Sequence, residues 1–200
     1  MLRSVFFRFL WVIPLCWWAI SPVRGQAVFK INQYNIVNGS DWMPVATLFT
    51  NYPFNDHWSA TSYFYVNANP KGSWGEGLAG ATYTPVKGIS VGFLGGFQSN
   101  ETEIWRISPI LMLSKGPFSF SGAFEFGGRR TRWDCMGFYS TGNLKLGGEL
   151  IRYYDMYAAG PRVEFAFLRK QPITLFYAGL ISWTHQKYYH MFGIFSTFGR

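Results

Sequence analysis

The feature that most constrains the fold of this chain is a two-residue alternation of apolar and polar side chains. In the segment Phe118–Phe126, phenylalanine occupies positions 118, 120, 124 and 126, whereas serine, alanine and glutamate occupy odd positions. A helix cannot collect this pattern on one face, but in a β-strand successive side chains point to opposite faces. The segment Ile89–Ser99 alternates in the same way. These patterns predict an all-β protein.

Similar segments recur about every ten residues, which is the spacing of strands in transmembrane β-barrels. Turn residues separate them, and no helical periodicity or sequence repeat interrupts the series. About twelve strands are predicted, and eight or ten remain open. The predicted strands are Val28–Ile36, Met43–Tyr52, His57–Val66, Gly75–Thr84, Ile89–Gln98, Ile104–Ser114, Pro117–Gly127, Cys135–Thr141, Leu144–Tyr153, Pro161–Leu168, Ile173–Trp183 and Tyr188–Phe198.

The N-terminal segment has a different organisation. Arg3 and Arg8 precede most of an apolar run that ends at Ile20, and the small residue Gly25 follows. This is the order of a secretory signal, and the run is too short to be a transmembrane helix, which needs roughly 20 apolar residues. We therefore expect residues 1–25 to be a cleaved signal peptide and residues 26–200 to be one domain. Cys135 is the one cysteine of that domain, so no disulfide framework is expected.

Composition favours a barrel in lipid over a soluble one. Aromatic residues make up 20% of the chain and charged residues 14%, compared with about 25% charged in soluble domains. The polar strand faces are mainly serine, glycine, alanine and tyrosine, as expected of a crowded lumen. Tryptophans lie at strand ends beside the longer links, a placement typical of an interfacial aromatic girdle. They are Trp42, Trp74, Trp105, Trp133 and Trp183.

The links between predicted strands alternate between short and long, as in bacterial barrels with short periplasmic turns and longer outer loops. The last strand ends in Phe195-Ser-Thr-Phe198, followed by two more residues. With these features the chain resembles bacterial outer-membrane β-barrel proteins, a resemblance that covers residues 26–200 and concerns architecture. It implies a closed antiparallel up-and-down transmembrane barrel in the bacterial outer membrane, in contact with membrane lipid.

Alternation also predicts which side chains point into the barrel. If Lys115-Gly116 is a two-residue turn, Ser114 pairs with Pro117, and Arg106 then lies opposite Glu125 as an inward ion pair. The predicted polar network of the lumen consists of Glu76, Arg106, Glu125, Lys145, Glu149 and Glu164.

Glu149 and Glu164 are expected to lie close together near the middle of the barrel. Two carboxylates there need a cation, lysine or arginine between them to remain ionised. The pair could form a cation- or proton-responsive constriction, or a buried network that plugs the lumen. Eight strands leave an interior filled by side chains, whereas 16 to 18 leave an aqueous channel, so twelve permits a narrow pore without requiring one.

Three functions are considered. The first is a porin-like channel or transporter for small solutes, and the second is a non-conducting structural or surface-interaction barrel. The third is a lipid-modifying hydrolase, because His57-Trp58-Ser59 is similar to a His-x-Ser fragment of some outer-membrane lipid hydrolases. Ala60 and Thr61 depart from the residues that follow in those enzymes.

A basic segment is predicted to lie in an outer loop, where arginine could bind lipopolysaccharide phosphates or simply be solvated. It contains Arg129, Arg130 and Arg132. The histidines show no metal-ligand spacing with Cys135, so neither a metal nor a cofactor is expected. The chain carries no nucleic-acid-binding motif, and nucleic acid is not expected as a partner.

Overall fold

A computed structural model shows a closed antiparallel barrel of twelve strands, in which β1 pairs with both β2 and β12. The predicted fold class is therefore confirmed. No helix in the described part of the chain has the length and apolarity needed to cross a bilayer. The structure describes residues 28–39, 41–68, 72–99, 104–127, 131–153, 155–167 and 173–198, and the predicted signal peptide lies outside them.

All twelve predicted strands are present, and each pairs with the strands before and after it. Their bounds are β1 Val28–Asn38, β2 Asp41–Pro53, β3 Trp58–Asn67, β4 Trp74–Val86, β5 Ile89–Gln98, β6 Trp105–Lys115, β7 Phe118–Glu125, β8 Arg132–Thr141, β9 Leu144–Tyr153, β10 Met156–Ala166, β11 Ile173–Ser182 and β12 Lys187–Phe198.

The two ends of the barrel differ. At one end, which we call the terminus end, β1 begins and β12 ends. Tight turns at residues 87–88, 116–117 and 142–143 join strands there. The opposite end, called the loop end, carries longer links at residues 68–73, 99–104 and 126–131, together with short links at 39–40 and 154–155; one longer link, at 167–172, is at the terminus end. This arrangement follows from the even strand number, which returns the chain to the end where it began.

The turn between β6 and β7 corrects one prediction. Its central residues are Gly116 and Pro117, so Lys115 pairs with Phe118 and Ser114 with Ser119. Gly116 has a φ of +57°, and a left-handed glycine at the first central position suits a type II′ hairpin turn. The predicted register was therefore wrong by two residues. The inward face is unchanged.

Two strands begin three or more residues earlier than predicted. β8 starts at Arg132 and β10 at Met156, although Met156–Gly160 was predicted to be loop. In β10 the small inward residue Ala158 is fully buried, so the alanines and glycine there reflect tight packing in the lumen. Extending β8 brings Arg132 and Asp134 into the barrel wall.

The barrel has polar and charged residues inside and apolar residues outside. Buried side chains include Glu76, Arg106 and Glu149, whereas Phe93 and Phe165 are exposed on the outer face. In water this arrangement would be unfavourable because exposed apolar area costs about 25 cal/mol per Å². In lipid it is the expected pattern of a transmembrane barrel.

Candidate functional site

The lumen contains two adjoining cavities. The larger has a volume of about 570 Å³ and extends to Asp155 and His185 at the loop end. The smaller has a volume of about 230 Å³. Both cavities contact the same four side chains, which we call the neck. They are Lys30, Met112, Ser121 and Met136.

Charged and polar side chains near the loop end form one cluster, which we call the loop-end cluster. It consists of Glu76, Gln98, Arg106, Glu125 and Arg132, contributed by strands β4 to β8. The Arg132 guanidinium forms ion pairs with the carboxylates of Glu76 and Glu125. Arg106 Nε donates to Gln98 Oε1 at 2.9 Å and lies 3.9 Å from Glu76 Oε2. Two arginines therefore neutralise two carboxylates in this part of the lumen.

The loop-end cluster also contacts aromatic rings. The Arg132 guanidinium lies 4.8 Å from the centre of the Trp74 ring and 5.8 Å from that of Tyr153. Trp74 in turn stacks on Tyr65, with ring centres 4.6 Å apart. Ion pairing and ring stacking together fix the position of the arginine across the lumen.

A second group of charges, called the mid-barrel cluster, centres on Arg162 of β10. Arg162 Nη1 lies 2.9 Å from Glu149 Oε2, and Nη2 lies 2.9 Å from Glu164 Oε1. Lys145 Nζ is 3.7 Å from Glu164 Oε2. The cation that Glu149 and Glu164 require is thus Arg162, which is 5% exposed.

Two glycines leave room for the mid-barrel cluster. Gly147 lies opposite Arg162, and Gly160 lies opposite Glu149. A Cβ at Gly147 would lie 1.9 Å from the Gly137 carbonyl oxygen, and one at Gly160 would lie 1.8 Å from that of Gly179. Neighbouring strands therefore approach more closely here than any side chain allows.

The remainder of the lumen is lined by apolar and uncharged polar side chains. One group of buried side chains lies on β10 to β12 and includes Phe176, Leu180 and Met191. A second group is formed by Val45, Tyr65 and Trp74. Phe176 also contacts the mid-barrel cluster, since the Arg162 guanidinium lies 4.2 Å from the centre of its ring.

The predicted pair of Arg106 and Glu125 is corrected by the register. Arg106 lies opposite Gly127 and donates to its carbonyl oxygen, and Glu125 pairs with Arg132 across β7 and β8. Arg132 is 8% exposed and points into the lumen, so the prediction that places it in an outer loop is also corrected. Arg129 and Arg130 lie outside the described residues.

Four lumen charges were missed at the sequence level: Lys30, Arg132, Asp134 and Arg162. The alternation that places Glu164 inward also places Arg162 inward, and it could have identified this residue. Arg132 and Asp134 were harder to find because the outward residues of β8 include both Trp133 and Gly137, so neither face is uniformly apolar.

The histidine and serine of the possible hydrolase do not form a catalytic pair. The Nδ1 atom of His57 lies 2.9 Å from the carbonyl oxygen of Thr84. No hydrogen bond joins His57 to Ser59 in the residues that the structure describes. The described histidine, cysteine and acidic side chains likewise form no group of three that could hold a metal ion.

Comparisons with known proteins identify the architecture. No family model matches the chain, and no curated protein matches it. Among solved structures, a KdgM porin superposes with a TM-score of 0.65 at 11% sequence identity, covering 84% of this chain and 99% of the porin. A KdgM porin in complex with disordered oligogalacturonate gives the same values.

A NanC porin superposes with a TM-score of 0.55 at 10% identity, covering 86% of this chain and 99% of that one. At such low identity the similarity concerns the fold. The chain therefore has the twelve-stranded barrel architecture of small bacterial outer-membrane porins.

Proposed function

We propose that this chain is a channel for small solutes in the bacterial outer membrane. The observation that carries the proposal is the charged lumen inside an apolar barrel: Arg106, Arg132 and Arg162 are all buried, and Arg132 and Arg162 contact a cavity of about 570 Å³. A barrel that served only as a structural element could fill this space with apolar side chains. Charges that line a cavity instead provide a polar path across the membrane.

The similarity to porins supports the proposal at the level of fold. Oligogalacturonate, present in one of the similar structures, is a polyanion, whereas the lumen of this chain has balanced charge. We therefore propose small solutes of low net charge. The basic residues are Lys30, Arg106, Arg132, Lys145 and Arg162, and the acidic residues are Glu76, Glu125, Asp134, Glu149 and Glu164.

The neck provides the test. Refolded protein comprising residues 26–200 is inserted into a planar bilayer, with heat-modifiable migration on a gel as the check of folding. We expect discrete conductance steps. Met112→Trp, which adds bulk at the neck, is expected to reduce the step size by about half or more. Leu175→Trp is the matched control, because Leu175 is 48% exposed and contacts neither cavity.

A folded barrel that produces no steps would contradict the channel and favour the non-conducting alternative. Equal reduction by both tryptophan variants would contradict the assignment of the neck as the narrow point. Glu149→Gln and Glu164→Gln are also expected to change the conductance, since each removes a charge from the mid-barrel cluster.

We further propose that lipopolysaccharide contacts the outer face at the loop end. Arg152 is on the outer face by strand alternation, next to Trp133 and Tyr157 on the neighbouring strands, and it also borders the larger cavity at the loop end. Its guanidinium is 5.0 Å from the centre of the Tyr157 ring, and the centres of the Tyr157 and Trp183 rings are 6.0 Å apart. An arginine within an aromatic girdle is placed to bind a headgroup phosphate. Arg129 and Arg130 remain proposed contacts.

Arg152→Gln tests this lipid contact. Thermal unfolding is followed in vesicles with and without lipopolysaccharide, and the variant is expected to lose part of the stabilisation that lipopolysaccharide gives. Lys87→Gln is the control, since Lys87 lies in a turn at the terminus end. An unchanged lipopolysaccharide effect in Arg152→Gln would exclude this residue as a contact.

A further inference from the structure

Two lumen residues, Lys30 and Asp134, belong to neither of the two ion-paired clusters. Arg106, Arg132, Arg162 and Lys145 are matched by four glutamates within the loop-end and mid-barrel clusters. For Lys30 and Asp134, no ion pair or hydrogen bond to another described side chain is found. One side chain is basic and the other acidic, and both contact the larger cavity.

The two charges face each other across the lumen. Lys30 is on β1 and Asp134 on β8, strands that lie on nearly opposite sides of the closed barrel. Both side chains line the larger cavity, and Lys30 shares the smaller cavity with Glu164. Lys30 is also a neck residue, and its Nζ lies 4.0 Å from the centre of the Phe195 ring. A solute that passes from the larger cavity to the smaller one must therefore pass Lys30.

The Asp134 carboxyl group has unused bonding capacity. The Oδ1 atom of Asp134 is buried and accepts no hydrogen bond from the described residues, and the same holds for Oε1 of Glu149. A buried charge without a partner is costly, and it becomes favourable when a ligand supplies the opposite charge. Asp134 can accept hydrogen bonds from an ammonium group, and Lys30 can donate to a carboxylate.

We infer that the larger cavity binds small zwitterionic solutes, with the solute ammonium at Asp134 and its carboxylate at Lys30. As a statement about transport, this rests on the proposed channel function; as a statement about binding, it can be tested alone. The apolar wall of the same cavity includes Tyr34, Ile151 and Phe176. It offers a surface for an apolar part of the solute, so amino acids and short peptides with aromatic side chains fit best.

The test uses probes that differ in one charge each. L-phenylalanine and glycyl-phenylalanine are zwitterions. Their N-acetyl derivatives lack the ammonium, and their amides lack the carboxylate. Affinity for refolded protein in detergent is measured by saturation-transfer NMR, and conductance of the same preparation is recorded separately. At least one zwitterion is expected to bind about tenfold more tightly than either of its derivatives, since a charge-assisted hydrogen bond contributes about this factor.

Two variants assign the charges. Asp134→Asn is expected to weaken binding of the zwitterion and the amide about tenfold and to leave the N-acetyl derivative unchanged. Lys30→Gln should weaken the zwitterion and the N-acetyl derivative and leave the amide unchanged. Each variant thus carries its own control, because a general disturbance of the cavity would affect all three probes.

The outcomes separate the binding site from the channel. The inference is supported if zwitterions bind and each variant weakens only the probes that carry the charge it recognises, whether or not the barrel conducts. If the barrel conducts but does not bind the zwitterions more tightly than their derivatives, the zwitterion site is overturned and the channel proposal is unaffected. The same holds if both variants weaken all probes equally. If the folded barrel binds zwitterions but gives no conductance steps in the bilayer, only the channel proposal is overturned.

Discussion

The two sides of the lumen are built in different ways. On β4 to β10, inward positions carry ionised side chains such as Arg132 and Arg162. On β11, β12 and β1 to β3, they carry mainly apolar and aromatic side chains such as Phe176 and Tyr65. We call these the charged wall and the apolar wall. The apolar wall is stabilised mainly by packing, with a few hydrogen bonds between uncharged groups such as those of Asn51 and Thr61, whereas the charged wall is stable only if its charges are matched.

This difference explains where selectivity can reside. Within the charged wall, arginines are bound to carboxylates and have little capacity left for a solute. The apolar wall can contact a solute but cannot discriminate its charge. Lys30 on the apolar side and Asp134 on the charged side are the exceptions, and both contact the cavity between the walls. They are therefore the residues through which charge can be recognised.

The largest expected effect comes from breaking the centre of the charged wall. Arg162→Leu leaves Glu149 and Glu164 buried near each other without their cation. Removing one partner of a buried ion pair costs about 3 to 5 kcal/mol. We expect a loss of about that size in the free energy of unfolding, measured by urea titration of refolded protein in vesicles with tryptophan fluorescence.

The control for this variant is Leu180→Met on the apolar wall. Leu180 is 1% exposed, and a volume-conserving hydrophobic replacement of this kind usually costs less than about 1.5 kcal/mol. If the two variants lost equal stability, the distinction between a matched charged wall and a packed apolar wall would not hold.

A smaller effect is expected from isosteric replacement of a paired carboxylate. Glu76→Gln removes the charge that the arginines of the loop-end cluster contact, and we expect a loss of about 2 kcal/mol, since hydrogen bonds to charged groups contribute about 1.5 to 3 kcal/mol. Asp134→Asn, which has no ion pair to lose, should leave the free energy of unfolding unchanged or raise it. The reverse order in the same urea titration would show that Asp134 has a structural partner.

Strand number and face assignment could be predicted from the sequence because both depend on local alternation. Lipid on one side selects apolar residues at every second position, and this made even short segments such as Leu144–Tyr153 recognisable. Register depends instead on the turn, and moving the turn by one residue to Gly116 and Pro117 shifted the partner of Arg106 from Glu125 to Gly127.

The candidate site was less predictable because its pairs join residues far apart in sequence. The ion pair of Arg132 with Glu76 connects β8 to β4 across the lumen, and no local pattern specifies such a contact. The start of β10 was also difficult to predict, because Met156–Gly160 has the composition of a loop. It forms a strand because Ala158 and Gly160 fit the crowded interior.

The smallest predicted effect concerns ion selectivity. With equal numbers of basic and acidic residues in the lumen, the barrel should select weakly between cations and anions. Lys30→Gln is expected to shift the zero-current potential toward cation selectivity and Asp134→Asn toward anion selectivity, each by a few millivolts to a few tens of millivolts across a tenfold salt gradient. Shifts of the same sign in both variants would contradict their assignment as the two unmatched charges.

The most direct test of the central claim is a bilayer recording of the unmodified barrel, refolded from residues 26–200, under that same salt gradient. A solute channel with a charge-balanced lumen predicts discrete conductance steps and a zero-current potential close to 0 mV. A correctly folded barrel that gives no steps, or one with strong preference for either sign of ion, would contradict the account.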